Sequence, residues 1–145
     1  MAAKDMAREP VLTAEEAMAY IDEVFAAAAG RFEVLELGPM TARVRCRIGE
    51  EDIRPGGTVS GPAMFWAADC GFYIALLGMI GKVALAVTTN ANINFLNKPA
   101  PTDIIAEARI LKLGKLLATG DVTLYSEGED RPIAHATLTY AIPPK

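Results

Sequence analysis

The sequence predicts an α+β domain in which a mostly antiparallel sheet packs on one buried helix, and three observations carry that prediction. From Gly61 to Met79, apolar residues fall on every side of a helical wheel: Ala63, Met64, Phe65, Trp66, Phe72, Tyr73, Ile74, Leu76 and Leu77. A helix apolar all round is one that the fold encloses. The second half reads as four strands, Leu85–Phe95, Asp103–Leu113, Lys115–Ser126 and Pro132–Ile142, separated by Asn97-Lys98-Pro99, Gly114 and Glu127-Gly128-Glu129-Asp130. Connections that short favour antiparallel neighbours. In the first half Ala42, Val44, Cys46 and Ile48 alternate with Thr41, Arg43, Arg45 and Arg47, one face buried and one charged. A helix layered on such a sheet is the α+β arrangement.

The remaining elements follow in order. Residues 1–11 read as a frayed terminus. Thr13-Ala14-Glu15-Glu16 is a capping box, in which the Thr hydroxyl accepts from a free N–H while Glu16 reaches back. The spacing predicts an Ala-rich helix to about Ala29, with Gly30 as its stop. Arg31–Leu37 and Thr41–Ile48 are strands joined at Gly38-Pro39. Gly49–Gly57 is a loop, and Pro62 suits the first turn of the buried helix. No repeat, linker or low-complexity tract interrupts residues 1–145, so one domain is expected.

Composition removes several function classes. A net charge of −4 with no cluster of Lys and Arg argues against duplex nucleic acid as a partner. His135 is the only histidine and lies in no ligand spacing, so no metal is expected. Cys46 and Cys70 form no CxxC pair; one disulfide is arithmetically possible, but not a disulfide framework. Met1–Arg8 mixes charges of both signs and has no apolar signal core. The stretch Pro55–Gly81 reaches membrane-spanning length but holds three early glycines, two prolines and Asp69, which favours a loop and a buried helix over a span. A reduced, cytoplasmic protein is the expectation.

Asp69 stands out because it is the only charged residue between Arg54 and Lys82. Its helical neighbours at three and four positions are Phe65, Trp66, Phe72 and Tyr73. A carboxylate in that setting is costly unless it is hydrogen-bonded, paired, or open to a site. It is therefore either a functional group or a structural Asp satisfied by a hydroxyl or a backbone donor. Second, Gly56-Gly57-Thr58-Val59-Ser60-Gly61-Pro62 leads a flexible backbone into a helix N-terminus, whose free N–H groups can polarise a carbonyl or hold an oxyanion. The loop has neither a Walker lysine nor GxGxxG spacing, so a nucleotide site is disfavoured. Third, Thr88, Asn90, Asn92 and Asn94 alternate with Val87, Thr89, Ala91, Ile93 and Phe95. A polar but uncharged face suits an interface or a groove, although a ladder of hydrogen-bonded Asn side chains would also explain most of it.

Taken in order, these segments resemble the hotdog-fold thioesterases of the phenylacetic-acid (PaaI-like) type. Gly57-Thr58-Val59-Ser60-Gly61-Pro62 followed by Asp69 resembles the signature GxxHGG-x(6)-D. Val87–Phe95 with Pro99-Ala100 resembles the family's central strand and turn, Lys112-Leu113-Gly114-Lys115 its hairpin, and His135-Ala136-Thr137 its last strand. The likeness covers roughly Phe32–Ile142. It implies a sheet of five or six antiparallel strands around one long helix, paired into homodimers or homotetramers with active sites between subunits. It further implies hydrolysis of acyl-CoA or a related thioester with no cofactor, coenzyme A entering only as part of the substrate. Asp69 would act as base or nucleophile and the Gly61 N–H as oxyanion donor. Thr88 falls where some members place a water-orienting hydroxyl.

The chain departs from that pattern in three places. Ser60 stands for the usual His and can still donate a hydrogen bond. Pro62 stands for the second Gly and has no N–H. Arg54 stands where an Asn or Gln often lies, and could meet an acidic acyl group, a CoA phosphate, or Asp69. Gly57, Thr58 and Asn90 complete the expected substrate-binding set, with Lys98, Lys112 and Lys115 as point charges for phosphate. His135 has no evident acid–base partner and reads as structural. Cys70 adjoins Asp69 but points about 100° away around the helix. The rival readings are a hotdog dehydratase, which lacks its usual histidine pairing here, and a protein that binds acyl-CoA or an apolar ligand without cleaving it. The aromatic set Phe65, Trp66, Phe72 and Tyr73 is expected to line a site for medium aliphatic or aryl acyl groups, with some of these side chains belonging to the core.

Overall fold

The expected central helix spans Gly61–Ile80, and the computed structural model, which describes residues 8–144, wraps one sheet around it. In chain order the elements are α1 (Ala14–Val24), β1 (Phe32–Gly38), β2 (Thr41–Cys46), a 3-10 turn (Glu50–Asp52), β3 (Ile53–Arg54), β4 (Thr58–Val59), α2 (Gly61–Ile80), β5 (Val87–Phe95), β6 (Ile104–Leu113), β7 (Leu117–Ser126) and β8 (Pro132–Ala141). The six long strands form one sheet in the order β1-β2-β6-β7-β8-β5, every neighbouring pair antiparallel. β3 and β4 make a separate two-residue hairpin that leads into α2.

α2 is long and apolar enough to cross a membrane, but most of it is buried inside this fold. Its approach to the sheet depends on missing side chains. A Cβ at Gly71 would lie 3.1 Å from the Ala106 methyl, and one at Gly120 would lie 2.7 Å from the Phe72 ring. The sheet's inner face supplies the other half of the core through Val44, Ala106, Val122, Leu124 and Leu138.

Several boundaries differ from expectation; β5 begins at Val87, not Leu85, and β7 at Leu117, not Lys115. The capping box forms, with Glu16 N–H donating to Thr13 Oγ1 at 3.1 Å and Thr13 N–H to Glu16 Oε1 at 2.9 Å. However, α1 stops at Val24, not Ala29. Phe25 leaves helical geometry and sets its ring edge-on to Tyr73 at 6.3 Å, and Ala28 turns into the core. Residues 25–31 then close with i→i+3 bonds, and Gly30, at φ 75°, gives its N–H to Asp22 Oδ1. Tertiary packing thus overrides the high helix propensity of the alanine run. β2 ends at Cys46 because the Ile48 amide is taken by Asp103 Oδ1 at 2.9 Å. Residues 1–7 of the expected frayed terminus lie outside the described residues. Val11 N–H already donates to Gly78 O at 2.7 Å, which ties the chain to α2 earlier than expected.

Candidate active site

Asp69 sits mid-way along α2 and is half-buried, with its carboxylate held by two hydroxyls. Thr88 Oγ1 donates to Asp69 Oδ1 at 2.6 Å, and Tyr140 OH donates to the same oxygen at 2.7 Å while lying 3.0 Å from the Asp69 carbonyl. Both donors converge on Oδ1. Among the described residues Oδ2 has no hydrogen-bond partner, and it is not sealed from solvent. Burial first, and the Asp69 charge second, push the Tyr140 phenol far above its ordinary value, so it stays a proton donor to the carboxylate.

A β-bulge creates this contact. Thr88 pairs with Tyr140 and Asn90 with Thr139, so Thr89 is the extra residue in β5. In a regular strand Thr88 would share a face with Asn90, Asn92 and Asn94, as its alternation predicts. The extra residue turns Thr88 to the inner face, where its cross-strand neighbour Tyr140 also points at Asp69. The Asn residues stay outside. Asn90, Asn92 and Asn94 are exposed and their side-chain amides make no hydrogen bonds among the described residues, so the expected ladder is not formed.

The N-terminus of α2 has one open donor. Ser60 caps the helix: its Oγ accepts from Ala63 N–H at 3.2 Å, and its carbonyl accepts from Met64 N–H at 3.1 Å. Pro62 has no N–H, which leaves the Gly61 N–H without an acceptor among the described residues. Gly57 N–H closes the preceding turn on Arg54 O at 3.0 Å, with Gly56 and Gly57 at φ 101° and 83°, values only glycine adopts readily. Thr58 is half-buried in β4. The Arg54 side chain is exposed and makes no pair with Asp69. Eight residues separate Gly61 from Asp69, about 12 Å along the helix, so one chain cannot bring both to the same carbonyl.

β5 spans that gap. At one end Thr88 touches Asp69; at the other, the Phe95 ring lies 3.4 Å from where a Gly61 Cβ would be. The candidate phosphate-binding lysines are divided in the same way. Lys98 follows the Phe95 end, whereas Lys115 lies in the β6–β7 hairpin, whose Leu117 is in register with Ala141 and Val87 at the other end. All three of Lys98, Lys112 and Lys115 are exposed.

A cavity of about 430 Å³ opens beside Asp69, lined mainly by Val24, Phe25, Tyr73, Ala86, Val87, Thr88 and Tyr140. The expected aromatic lining is largely absent from it. Of that set only Tyr73 reaches the cavity. Phe72 is fully buried against Tyr140, Trp66 packs on Phe32 beneath Arg31, and Phe65 lies over Ala91 and Ile93. Neighbours at three and four positions flank a residue without pointing the same way. Two further hollows, of about 870 and 440 Å³, are lined largely by charged residues such as Arg43 and Glu107 and contain neither Asp69 nor the helix N-terminus.

The other singled-out residues have quieter settings. His135 does have a carboxylate partner, contrary to expectation: its Nε2 lies 3.0 Å from Asp121 Oδ2, which Arg109 also holds at 3.0 Å. The partner was hidden because it is cross-strand, on β7. Burial raises the Asp121 carboxyl, but the hydrogen bonds from Arg109 and His135 outweigh it and hold the group below its ordinary value. This cluster faces away from Asp69. Both cysteines are free and buried, so neither forms the arithmetically possible disulfide. Burial pushes the Cys46 thiol up to about 12, and burial with the adjacent Asp69 pushes Cys70 up as well, so neither thiol is a nucleophile at neutral pH. No group of three or more His, Cys, Asp or Glu able to hold a metal occurs among the described residues.

Comparisons with known proteins agree with this picture. The family model described as "Thioesterase superfamily" matches residues 56–133, which include Gly57, Gly61, Asp69 and Thr88. A provisionally assigned esterase of Saccharolobus solfataricus is 30% identical over 122 residues, covering 83% of this chain and 78% of that protein. Among solved structures, a provisionally assigned thioesterase from Silicibacter sp. TM1040 is 44% identical, covers 97% of each chain and superimposes with a TM-score of 0.88. The PaaI protein from the phenylacetic acid degradation operon of E. coli, 18% identical, shares the fold over 91% of this chain and 96% of that one, with a TM-score of 0.75. The antiparallel sheet around α2 is the hotdog fold that the signature implies, and the chain belongs to the thioesterase superfamily.

Proposed function

We propose that this protein, as one hotdog domain, hydrolyses acyl thioesters, acyl-CoA foremost, at a site shared by two copies of the chain. The observation that carries the reading is the Asp69 carboxylate, fixed through Oδ1 by Thr88 and Tyr140, with Oδ2 free beside an apolar cavity. A carboxylate oriented through one oxygen and open at the other is arranged to take a proton or to attack a carbon. As base, Oδ2 accepts a proton from water while the water oxygen bonds to the thioester carbonyl carbon. The carbonyl oxygen gains the negative charge and accepts from the Gly61 N–H of a second copy. The C–S bond then breaks, the thiolate recovers the proton, and the acid and free thiol leave. As nucleophile, Oδ2 bonds to the carbonyl carbon and the C–S bond breaks to release the thiolate; water then opens the resulting anhydride, which restores the carboxylate, frees the acid and supplies the proton that the thiolate takes up.

The shared site follows from β5. Two β5 strands paired edge to edge and antiparallel would set the Thr88 end of one against the Phe95 end of the other. Asp69 of one copy then faces Gly61 of the second. Arg54 and Lys98 of that second copy, and Lys115 of the first, would lie on the same side as point charges for CoA phosphates, with Thr58, Asn90 and the turn at Gly57 along the entry. Ser60 fixes the helix end, and the Thr88 oxygen can accept from the attacking water.

The test is release of free CoA thiol from short, medium, long and aryl acyl-CoAs, wild type beside Asp69→Asn. Turnover by wild type, with a loss of roughly a hundredfold or more in a folded Asp69→Asn, is the expected result. Tight acyl-CoA binding with no thiol release from any substrate would favour the non-catalytic binding reading, for which Ser60 and Pro62 in the signature speak. Loss of folding in both Asp69→Asn and Asp69→Ala would make Asp69 structural.

A further inference from the structure

We infer that the site accepts neutral hydrocarbon acyl groups and that Phe25, outside the family signature, limits their length; this rests on the thioesterase reading above. The cavity beside Asp69 is walled by hydrocarbon from three directions: Tyr73 from α2, Ala84 and Ala86 from the segment after it, and Val87 from β5. The fourth wall comes from the end of α1, as Val24 and Phe25. Asp69 is the one charged lining residue; the other polar groups are the hydroxyls of Thr88 and Tyr140, both donating to it, and of Tyr73, which donates to Ala84 O at 3.0 Å. An acyl group carrying its own carboxylate would find no cation among the residues lining this cavity and would stand beside a like charge. A hydrocarbon chain would find apolar cover.

Length follows from the helix. An acyl group whose carbonyl meets Asp69 and whose tail runs along α2 reaches Tyr73 after four residues, about 6 Å. There it meets Phe25, whose ring is edge-on to Tyr73 at a centroid distance of 6.3 Å. That seat of Phe25 on Tyr73 is also what ends α1 at Val24. The early end of the helix and the apolar wall at Phe25 are thus one feature.

Chain-length profiles of kcat/KM for thiol release, on straight-chain and aryl acyl-CoAs, test this with wild type, Phe25→Ala and Phe25→Trp. Each buried methylene contributes about fourfold, so relief of two positions changes the ratio of long to short substrates roughly fifteenfold. Phe25→Ala moves the optimum to longer chains and Phe25→Trp to shorter ones. Succinyl-CoA is turned over at least roughly tenfold more slowly than butyryl-CoA by wild type, because a second carboxylate is left unpaired in the cavity. Thermal unfolding checks each variant; if Phe25→Ala does not fold, Phe25→Leu carries the same comparison. A wild-type enzyme with an unchanged profile in the folded variants, or with succinyl-CoA equal to butyryl-CoA, overturns the inference alone. No turnover by wild type on any substrate overturns the thioesterase reading and the inference with it.

Discussion

At one edge of the sheet β1 carries Glu33 and Glu36, lies against α1, and has Glu33 held by Arg45 at 2.6 Å. At the other edge β5 runs nine residues without a charge, its Asn amides unbonded and Val87 and Phe95 more than half exposed. Charge and cover are the usual ways to keep a strand edge from pairing with another chain. β1 has both and is finished within one molecule; β5 has neither. The unfinished edge is also the one whose two ends touch Asp69 and Gly61, which lie too far apart to serve one carbonyl in a single chain. In the proposed site, what the β5 edge lacks and what the candidate site lacks would be supplied together by a second copy.

The comparison can be broken most forcefully by charging β5. Asn92→Lys with Asn94→Lys places like charges along the open edge, and we expect monomers by analytical ultracentrifugation and turnover down by roughly a hundredfold, since oriented donors to an oxyanion account for about that much. Glu36→Lys on β1 should leave both unchanged. Loss of turnover in a double variant that keeps the wild-type assembly would separate site from edge. A smaller effect is expected from Tyr140→Phe, which removes one hydrogen bond to a charged carboxylate but keeps the ring against Phe72. Turnover should fall roughly tenfold, the size of one charge-assisted hydrogen bond, with kcat affected more than KM. The smallest effect belongs to Ser60→Ala. It removes the α2 cap and should cost about 1 kcal/mol in denaturant unfolding, with turnover changed less than by Tyr140→Phe.

Much of this was legible in the residues. The all-round apolar stretch at Gly61–Met79, the succession of short strands and the oddity of Asp69 gave the architecture and the centre of the candidate site, because periodicity and an expensive charge are local signals. What escaped was set by register and packing. Thr88 reads as one of a row with three Asn residues until a single extra residue reverses its face, and no composition marks a bulge. Tyr140 carries no local signal of its role beyond one trace: it ends a buried stripe with Ala134, Ala136 and Leu138, and a buried phenol needs an acceptor. Asp69 was the obvious one. The end of α1 was hidden for the opposite reason, since the alanine run favours helix and only the seat of Phe25 on Tyr73 cuts it short. The cavity wall at Val24 and Phe25 was hidden with it.

The most direct measurement of a site shared across β5 is complementation. Asp69→Asn lacks the carboxylate. Gly61→Pro removes the N–H at a first helical position that tolerates proline and after a Ser60 already in extended geometry, and Gly61→Ala controls for the added carbon 3.4 Å from the Phe95 ring. Asp69→Asn or Gly61→Pro alone should release almost no thiol from acyl-CoA. Co-expressed as mixed oligomers, they should regain turnover, because one site per pair then has its Asp69 from one chain and its Gly61 N–H from the other. Mixed oligomers no more active than the two variants apart would contradict the shared site.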